Sequence, residues 1–590
     1  MTTSTGVPSP RRSSALVGAG ILLSRLAGLV RERVIAAHLG TGFAVDAFRA
    51  ALRIPNLLQN LLGEGVLSAS FIPVYARLLA EGEEEEAGRV AGAIAGLLTA
   101  ASALLVVVGV VFARPLTTVL AGGFTGERFE LTVTLVRILT PGIGLLVLSA
   151  WCLGVLNSHR RFFLSYVAPV LWNAAQIAVL VAAAARGFDV SSLAVALAWG
   201  ALAGAFLQLG LQASAVRSLV RPLRLTLSLR RPGVRTVARR FGPAVAGRGV
   251  VQLSAYLDLF LASFLATGAV AALGYAQVFY ILPISLFGMS VAAAELPELS
   301  RLGDPDPGAP DPGAPHGAAD DRPRRSRPGG ALQARLEDGL GRVAFYVVPT
   351  AAAYLVLGDL VVATLLQTGR FGADDTRLVW YVLGALSLGL VATTASRLLQ
   401  SGLYALGDTR SPATIAAARV ALTTLLGVVL MFQLDRVALV GPGPAGLDVV
   451  GDLPALGPLP AELRDATTAA LRLGAVGLAL AGAAGAWGEL ALLRRRLGAR
   501  LGPLRLGGSR LGGVLAAGAL ATAVATGCRA MVTTLAGDLP PPVALVLSGG
   551  PTALAYLAAG ARLGLPEVAA LVAVARRGLH GVRGRVRGHR

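Results

Sequence analysis

The chain has 590 residues, of which 54% are hydrophobic and 15% charged, with a net charge of +20. Its mean hydropathy is +0.67. A soluble chain of this length would form several domains with about a quarter of its residues charged, so the composition excludes a soluble enzyme, a disordered protein and a disulfide-rich secreted domain, and leaves an all-α polytopic membrane protein.

Residues 1–14 (MTTSTGVPSPRRSS) read as a short cytoplasmic segment. The apolar stretch that follows carries Arg25 and Arg31 and lacks a small-residue cleavage site. It is therefore a retained first membrane helix and not a signal peptide. A spanning helix needs about 20 mostly apolar residues. On that rule the spans fall at 15–38, 44–79, 89–112, 131–155, 163–185, 191–213, 242–265, 270–298, 342–366, 377–404, 412–433, 467–493, 511–531 and 541–563. These fourteen segments divide into an N-lobe (15–213), a basic cytoplasmic loop (214–241), a C-lobe (242–493), two final helices (494–563) and a basic cytoplasmic tail (564–590). Residues 302–330 form a Pro/Gly/charge linker, and residues 434–465 a Gly/Pro-rich outer loop. Neither is assigned any chemistry.

The orientation follows from Arg placement. The loops 155–162, 214–240 and 494–510 and the C-terminal tail are rich in Arg, whereas 186–190, 266–268 and 536–540 are poor in it. By the positive-inside rule both termini lie in the cytoplasm. A weak internal repeat supports two lobes. The stretch 38–56 (HLGTGFAVDAFRAALRIPN) resembles 264–283 (FLATGAVAALGYAQVFYILP), each pairing a Thr-Gly turn with a later Pro.

No catalytic motif for nucleotide binding, metalloprotease or serine hydrolase chemistry is present, so the chain is not expected to be an enzyme. Cys152 and Cys528 lie in apolar runs and read as small buried hydrophobes. His38, His159, His316, His580 and His589 show no metal-ligand spacing, so neither metal nor cofactor is expected. The basic excess finds no soluble face on which to hold nucleic acid.

What stands out is charge inside the first two helices. Helix 1 carries Arg25, Arg31, Glu32 and Arg33. In helix 2, Asp46, Arg49, Arg53, Asn56, Asn60 and Glu64 are spaced by 3, 4, 3, 4 and 4 residues, with Gln59 beside them. That spacing is one helix face, about 27 Å long at 1.5 Å per residue. A charge at mid-membrane costs about 2.5–3.5 kcal/mol. Several on one face imply that they meet water or one another. The pattern predicts a hydrated cavity lined by helices 1 and 2, and its Arg excess suits an anionic ligand such as a phosphate.

At these residues the chain resembles the MurJ (MviN) lipid II flippases of the MOP exporter superfamily. The likeness is carried by SRLAGLVRERVIAAHLGTGFAVDAFRAALRIPNLLQNLLGEGVLSASFIPVYA (24–76), GVLNSHRRFFLSYVAPVLWN (154–173), LASFLATGAVAALGYAQ (261–277), LLQTGRFGADDT (365–376) and LYALGDTRSP (403–412). It covers roughly residues 14–432. The resemblance implies fourteen helices in two lobes, alternating access, and transfer of an undecaprenyl-diphosphate-linked peptidoglycan precursor across the bacterial inner membrane. It matches Arg25, Arg31, Asp46, Arg53 and Glu64 to the family's functional positions, and with Asn56 and Gln59 of the polar stripe these make up the candidate substrate site. It also implies a lipid-tail groove formed by the last two helices, with membrane lipids and cell-wall synthesis enzymes as neighbours. Two positions depart from the family pattern: Gln59 stands where an Arg is common, and Gln277-Val278 where an acidic residue followed by Arg is common. Arg248 and Arg397 are the candidates for replacement charge. The alternatives are a flippase for another polyprenyl-linked glycan, an exporter of a drug-like cation, and a non-transporting scaffold.

Overall fold

The computed structural model describes residues 10–220, 223–289, 328–439, 447–449, 456–464, 471–504, 508–535 and 539–573. Most of the expected 302–330 linker and the tail beyond 573 lie outside the described residues. The remainder is overwhelmingly α-helical. Three very short strands, β1 (Val437–Leu439), β2 (Leu447–Val449) and β3 (Leu471–Arg472), form one antiparallel sheet in the order β2-β1-β3. β1 and β2 fall within the 434–465 stretch read as a Gly/Pro-rich outer loop.

In the first half of the chain the helices are α1 (Pro10–Leu39), α2 (Phe43–Leu62), α3 (Glu64–Ser70), α4 (Ile72–Ala80), α5 (Glu84–Val111), α6 (Ala113–Leu120), α7 (Gly126–Ser158), α8 (Phe162–Ala185), α9 (Val190–Leu219) and α10 (Pro232–Ser263). In the second half they are α11 (Ala269–Pro283), α12 (Pro328–Leu366), α13 (Ala373–Leu388), α14 (Leu390–Ala405), α15 (Arg410–Asp435), α16 (Ala461–Arg464), α17 (Gly474–Leu501), α18 (Gly508–Leu535) and α19 (Pro541–Arg562).

Each expected span contains helix; in the span 270–298, α11 gives way to a π-helical turn at Ile284–Met289 and residues 290–298 lie outside the described residues, and two other spans are broken. The segment 44–79 divides into α2, α3 and α4. The first break falls at Gly63, where a Cβ would lie 2.1 Å from the Gln59 carbonyl oxygen. Only glycine fits there. The second break falls at Phe71, just ahead of Pro73 in the first turn of α4. The segment 377–404 bends by 42° between α13 and α14. There a Cβ on Gly389 would press within 2.7 Å of the Ala483 backbone. Among the described residues, ten helices are long and apolar enough to cross a membrane, or eleven counting the bent pair. These correspond to eleven of the fourteen expected segments; α1, α2 and α10 are not among them.

Two compact units are present. The first holds residues 1–272 with 366–375 and 457–470; the second holds 273–365, 376–456 and 471–590. The division falls after α10 and not at the 214–241 loop, because α10 packs on α2 and α3. In the first unit α1 lies against α8, α2 against α7, and α8 against α9. Glycines let these helices approach closely: a Cβ on Gly204 of α9 would lie 2.8 Å from the Trp172 backbone of α8. Asp189 caps α9, its carboxylate accepting from the Ser191 and Ser192 N–H groups. In the second unit α15 pairs with α17, and α18 with α19.

Candidate functional site

The polar face of α1 and α2 is organised by a residue that spacing alone did not single out. Glu32 is only 6% exposed. Its Oε1 accepts from Arg31 at 2.7 Å and its Oε2 from Arg49 of α2, also at 2.7 Å. One carboxylate therefore clamps two guanidinium groups and ties α1 to α2. The Arg31 guanidinium also lies 5.0 Å from the centre of the Trp172 ring of α8, a cation–π arrangement that fixes its plane.

The neighbouring charges extend this cluster along both helices. Arg25 precedes Glu32 by seven residues and so lies on the same face of α1. Its side chain is exposed, on a stretch shared with the exposed Leu22 and Leu26. Arg53 lies one turn beyond Arg49 on α2. Its backbone carbonyl accepts from the Tyr256 hydroxyl of α10 at 2.8 Å, and Asp258 of α10 is close enough to act on its charge. Further along the stripe Asn56 and Asn60 are exposed and Gln59 is half-buried. The side chains of Glu64 and Arg248 lie outside the described residues. Arg397, on α14 in the second unit, is exposed and near Tyr280, whose hydroxyl meets that of Thr393 at 2.8 Å.

Asp46 has a different setting from the rest of the stripe. It is 0% exposed. Its carboxylate accepts the N–H groups of Gly268 at 2.8 Å and Ala271 at 2.6 Å. Asp46 thus supplies acceptors for the unsatisfied donors at the start of α11. Arg128 of α7, 3% exposed, completes the arrangement with an ion pair to Asp46 at 2.7 Å, and its guanidinium lies 3.7 Å from the centre of the Phe124 ring. In this conformation Asp46 is a latch that joins the start of α2 to the start of α11.

Around this latch the two repeated Thr-Gly turns meet. A Cβ on Gly268, whose φ is +94°, would lie 2.9 Å from the Thr41 carbonyl oxygen. The 366–375 stretch packs on the same place: the Arg370 N–H donates to the Ala37 carbonyl at 2.8 Å, and the Thr41 hydroxyl donates to Asp375. Gly123 comes so close to the 263–264 backbone that a Cβ would sit 2.4 Å from the Ser263 oxygen. In the first unit the end at which α1 meets α2 is thus tightly closed.

The second unit contains an apolar groove of about 380 Å³ between α12, α18 and α19, lined by Tyr346, Pro349, Ala521, Gly549, Tyr556 and Leu571 among others. Spacing in the sequence showed which residues share a helix face, but not Glu32 as the bridge between helices. Nor did it show the Asp46–Arg128 pairing, or the stacking of Arg31 on Trp172. A lone carboxylate in the apolar run AYLDLFLASF (255–264) was the available signal for Asp258.

A family model described as lipid II flippase MurJ matches residues 35–441. A probable lipid II flippase MurJ of Rhizobium tropici is 33% identical over 418 residues, covering 70% of this chain and 74% of that protein. A lipid II flippase MurJ of Burkholderia cenocepacia is 32% identical over 446 residues, covering 74% and 80%. Among solved structures, a lipid II flippase MurJ in an inward closed conformation superimposes with a TM-score of 0.68 at 18% identity, covering 92% of this chain and 98% of that one. An inward-facing multidrug resistance MATE transporter of the MOP superfamily gives 0.56 at 15% identity, covering 82% and 98%. At such identities the structural likenesses speak to fold alone. The family match begins at residue 35, so it includes Asp46, Arg53, Asn56, Gln59 and Glu64 but not Arg25 or Arg31.

Proposed function

The chain belongs to the lipid II flippase MurJ family, and from that premise we propose that the α1–α2 cluster grips the diphosphate of an undecaprenyl-linked peptidoglycan precursor during its passage from the inner to the outer leaflet. The observation that carries this reading is the Glu32 clamp. Two guanidinium groups, those of Arg31 and Arg49, meet on one buried carboxylate, and Arg25 and Arg53 extend the positive charge along α1 and α2. In the absence of substrate Glu32 neutralises part of that charge and holds Arg31 and Arg49 in place, so little ordering is left to be done on binding. A diphosphate offers more oxygens than Glu32 does, and planar guanidinium groups take such oxygens two at a time.

With the Arg-rich loops on the inner side, as the positive-inside rule favours, both termini are cytoplasmic and the closed α1–α2 end is the outer one. The cluster then faces the leaflet in which the precursor is made. Passage requires the Asp46 latch to open and re-form, as alternating access demands. Transfer of an anionic headgroup outward is favoured by an inside-negative potential, by about 2.3 kcal/mol per charge per 100 mV. The apolar groove of the second unit would hold part of the lipid tail. The reading assigns the chain no covalent chemistry, and its implied partners are the enzymes that make and consume the precursor.

The test is headgroup translocation in reconstituted vesicles. Arg31→Ala and Arg53→Ala are each expected to slow it by tenfold or more, since a charge-assisted hydrogen bond contributes about 1.5–3 kcal/mol. Wild-type rates in both variants would refute the assignment.

A further inference from the structure

The segment 456–464 lies beyond the stretch matched by the family model, which ends at residue 441. Its part in the first unit, 457–464, nonetheless reaches the latch. Pro460 starts a helical turn, its carbonyl accepting from the N–H groups of Leu463 and Arg464 at 3.0 Å each. Leu459 and Arg464 are both buried. The Arg464 carbonyl accepts the Thr267 N–H at 3.0 Å, and the Arg464 guanidinium donates to the Thr125 hydroxyl at 3.2 Å.

Those two partners stand on opposite sides of one seam. Thr267 immediately precedes Gly268, whose N–H is held by Asp46. Thr125 caps α7 three residues before Arg128, the ion partner of Asp46. At the start of α11, Asp46 satisfies two donors and Arg464 a third. A parting of the seam would strip acceptors from all three.

We propose that Arg464 is a positioning residue of the outer gate, and that segment 456–464 is a strap that holds the gate shut and sets how often it opens. The proposal rests on the alternating-access reading given above. Arg464 touches no substrate; it acts through Thr267 and Thr125 on the turn that Asp46 latches.

The test uses the full chain with Cys152→Ser and Cys528→Ser, and a reporter Ala266→Cys in the buried 263–271 turn. A membrane-impermeant maleimide is applied from the outer side. Arg464→Ala is expected to speed labelling about tenfold, the loss of one charge-assisted hydrogen bond. Replacing 456–464 by a Gly-Ser stretch of equal length should speed it further, and Arg464→Lys should restore most of the protection. A second reporter, Ala198→Cys in the core of α9, should stay unlabelled throughout. Unchanged labelling of Ala266→Cys in both strap variants would overturn the proposal. So would labelling of Ala198→Cys, because the effect would then be general loosening. Labelling needs no substrate, so a failure of transport in the same vesicles would count against the functional reading and leave the strap standing.

Discussion

Replacing Asp46 by Asn should loosen the closed end of the first unit far more than the change of one atom suggests. The carboxylate accepts two backbone N–H groups and pairs with Arg128, and neither side chain is accessible to water. The carboxamide keeps one acceptor but turns an NH2 group toward other donors, and it leaves the Arg128 charge buried without its ion partner. Breaking a buried pair in this way costs about 3–5 kcal/mol. That raises the opening equilibrium of the seam about a hundredfold to a few thousandfold. Hydrogen–deuterium exchange of a peptide covering 264–275 reads this directly, because the Gly268 and Ala271 amides are the ones released. Asp46→Asn should exchange faster by that factor. Asp46→Asn combined with Arg128→Met should recover part of the protection, since no charge is then stranded. Equal exchange in wild type and Asp46→Asn would refute the latch. So would a double variant whose loss is the sum of the two single losses.

Two other predictions concern electrostatics away from the cluster. Asp408 lies in the loop before α15, where the backbone N–H and the hydroxyl of Ser411, followed by Arg500 and Arg496, hold its carboxyl below the ordinary carboxylate range. A depressed folded-state pKa gives stability that is present above the unfolded value of about 3.9 and lost as pH falls through the lower folded value. Thermal unfolding scans between about pH 5 and pH 3 should show a steeper loss of stability for wild type than for Asp408→Asn; parallel curves would contradict this. In the second unit, Arg529 makes a two-pronged pair with Asp359, at 2.9 and 2.6 Å, and lies over the Trp380 ring. Asp359→Ala should lower stability by about 1–3 kcal/mol, measured by thermal unfolding in detergent, and the further change Arg529→Met should restore much of it.

Much of the fold was legible because apolar length is a strong signal in a membrane chain. Each expected span contains helix. The breaks at Gly63, Phe71 and Gly389 were not legible, because hydropathy averages over the single residue at which a helix must stop to avoid its neighbour. The polar residues of α2 were read as one stripe, but the helix stops at Gly63, ahead of Glu64, and the settings along it separate only in three dimensions. Asp46 pairs with Arg128 and with α11, which are far away in sequence, and so it serves as a latch. Arg49 and Arg31 are joined through Glu32, which faces them from α1. The stretch 434–465 looked featureless because Gly and Pro dominate its composition, yet its last residue but one, Arg464, is buried against the seam.

The most direct test of the central claim is a binding titration of the full chain in nanodiscs. Undecaprenyl-diphosphate-linked disaccharide is compared with undecaprenyl monophosphate, for wild type and for Arg25→Ala/Arg31→Ala. If the guanidinium groups of the α1–α2 cluster form the diphosphate grip, wild type should prefer the diphosphate by about tenfold or more, and the double variant should lose that preference while keeping its fold. Equal affinities for the two lipids in wild type, or an unchanged preference in the double variant, would contradict the account.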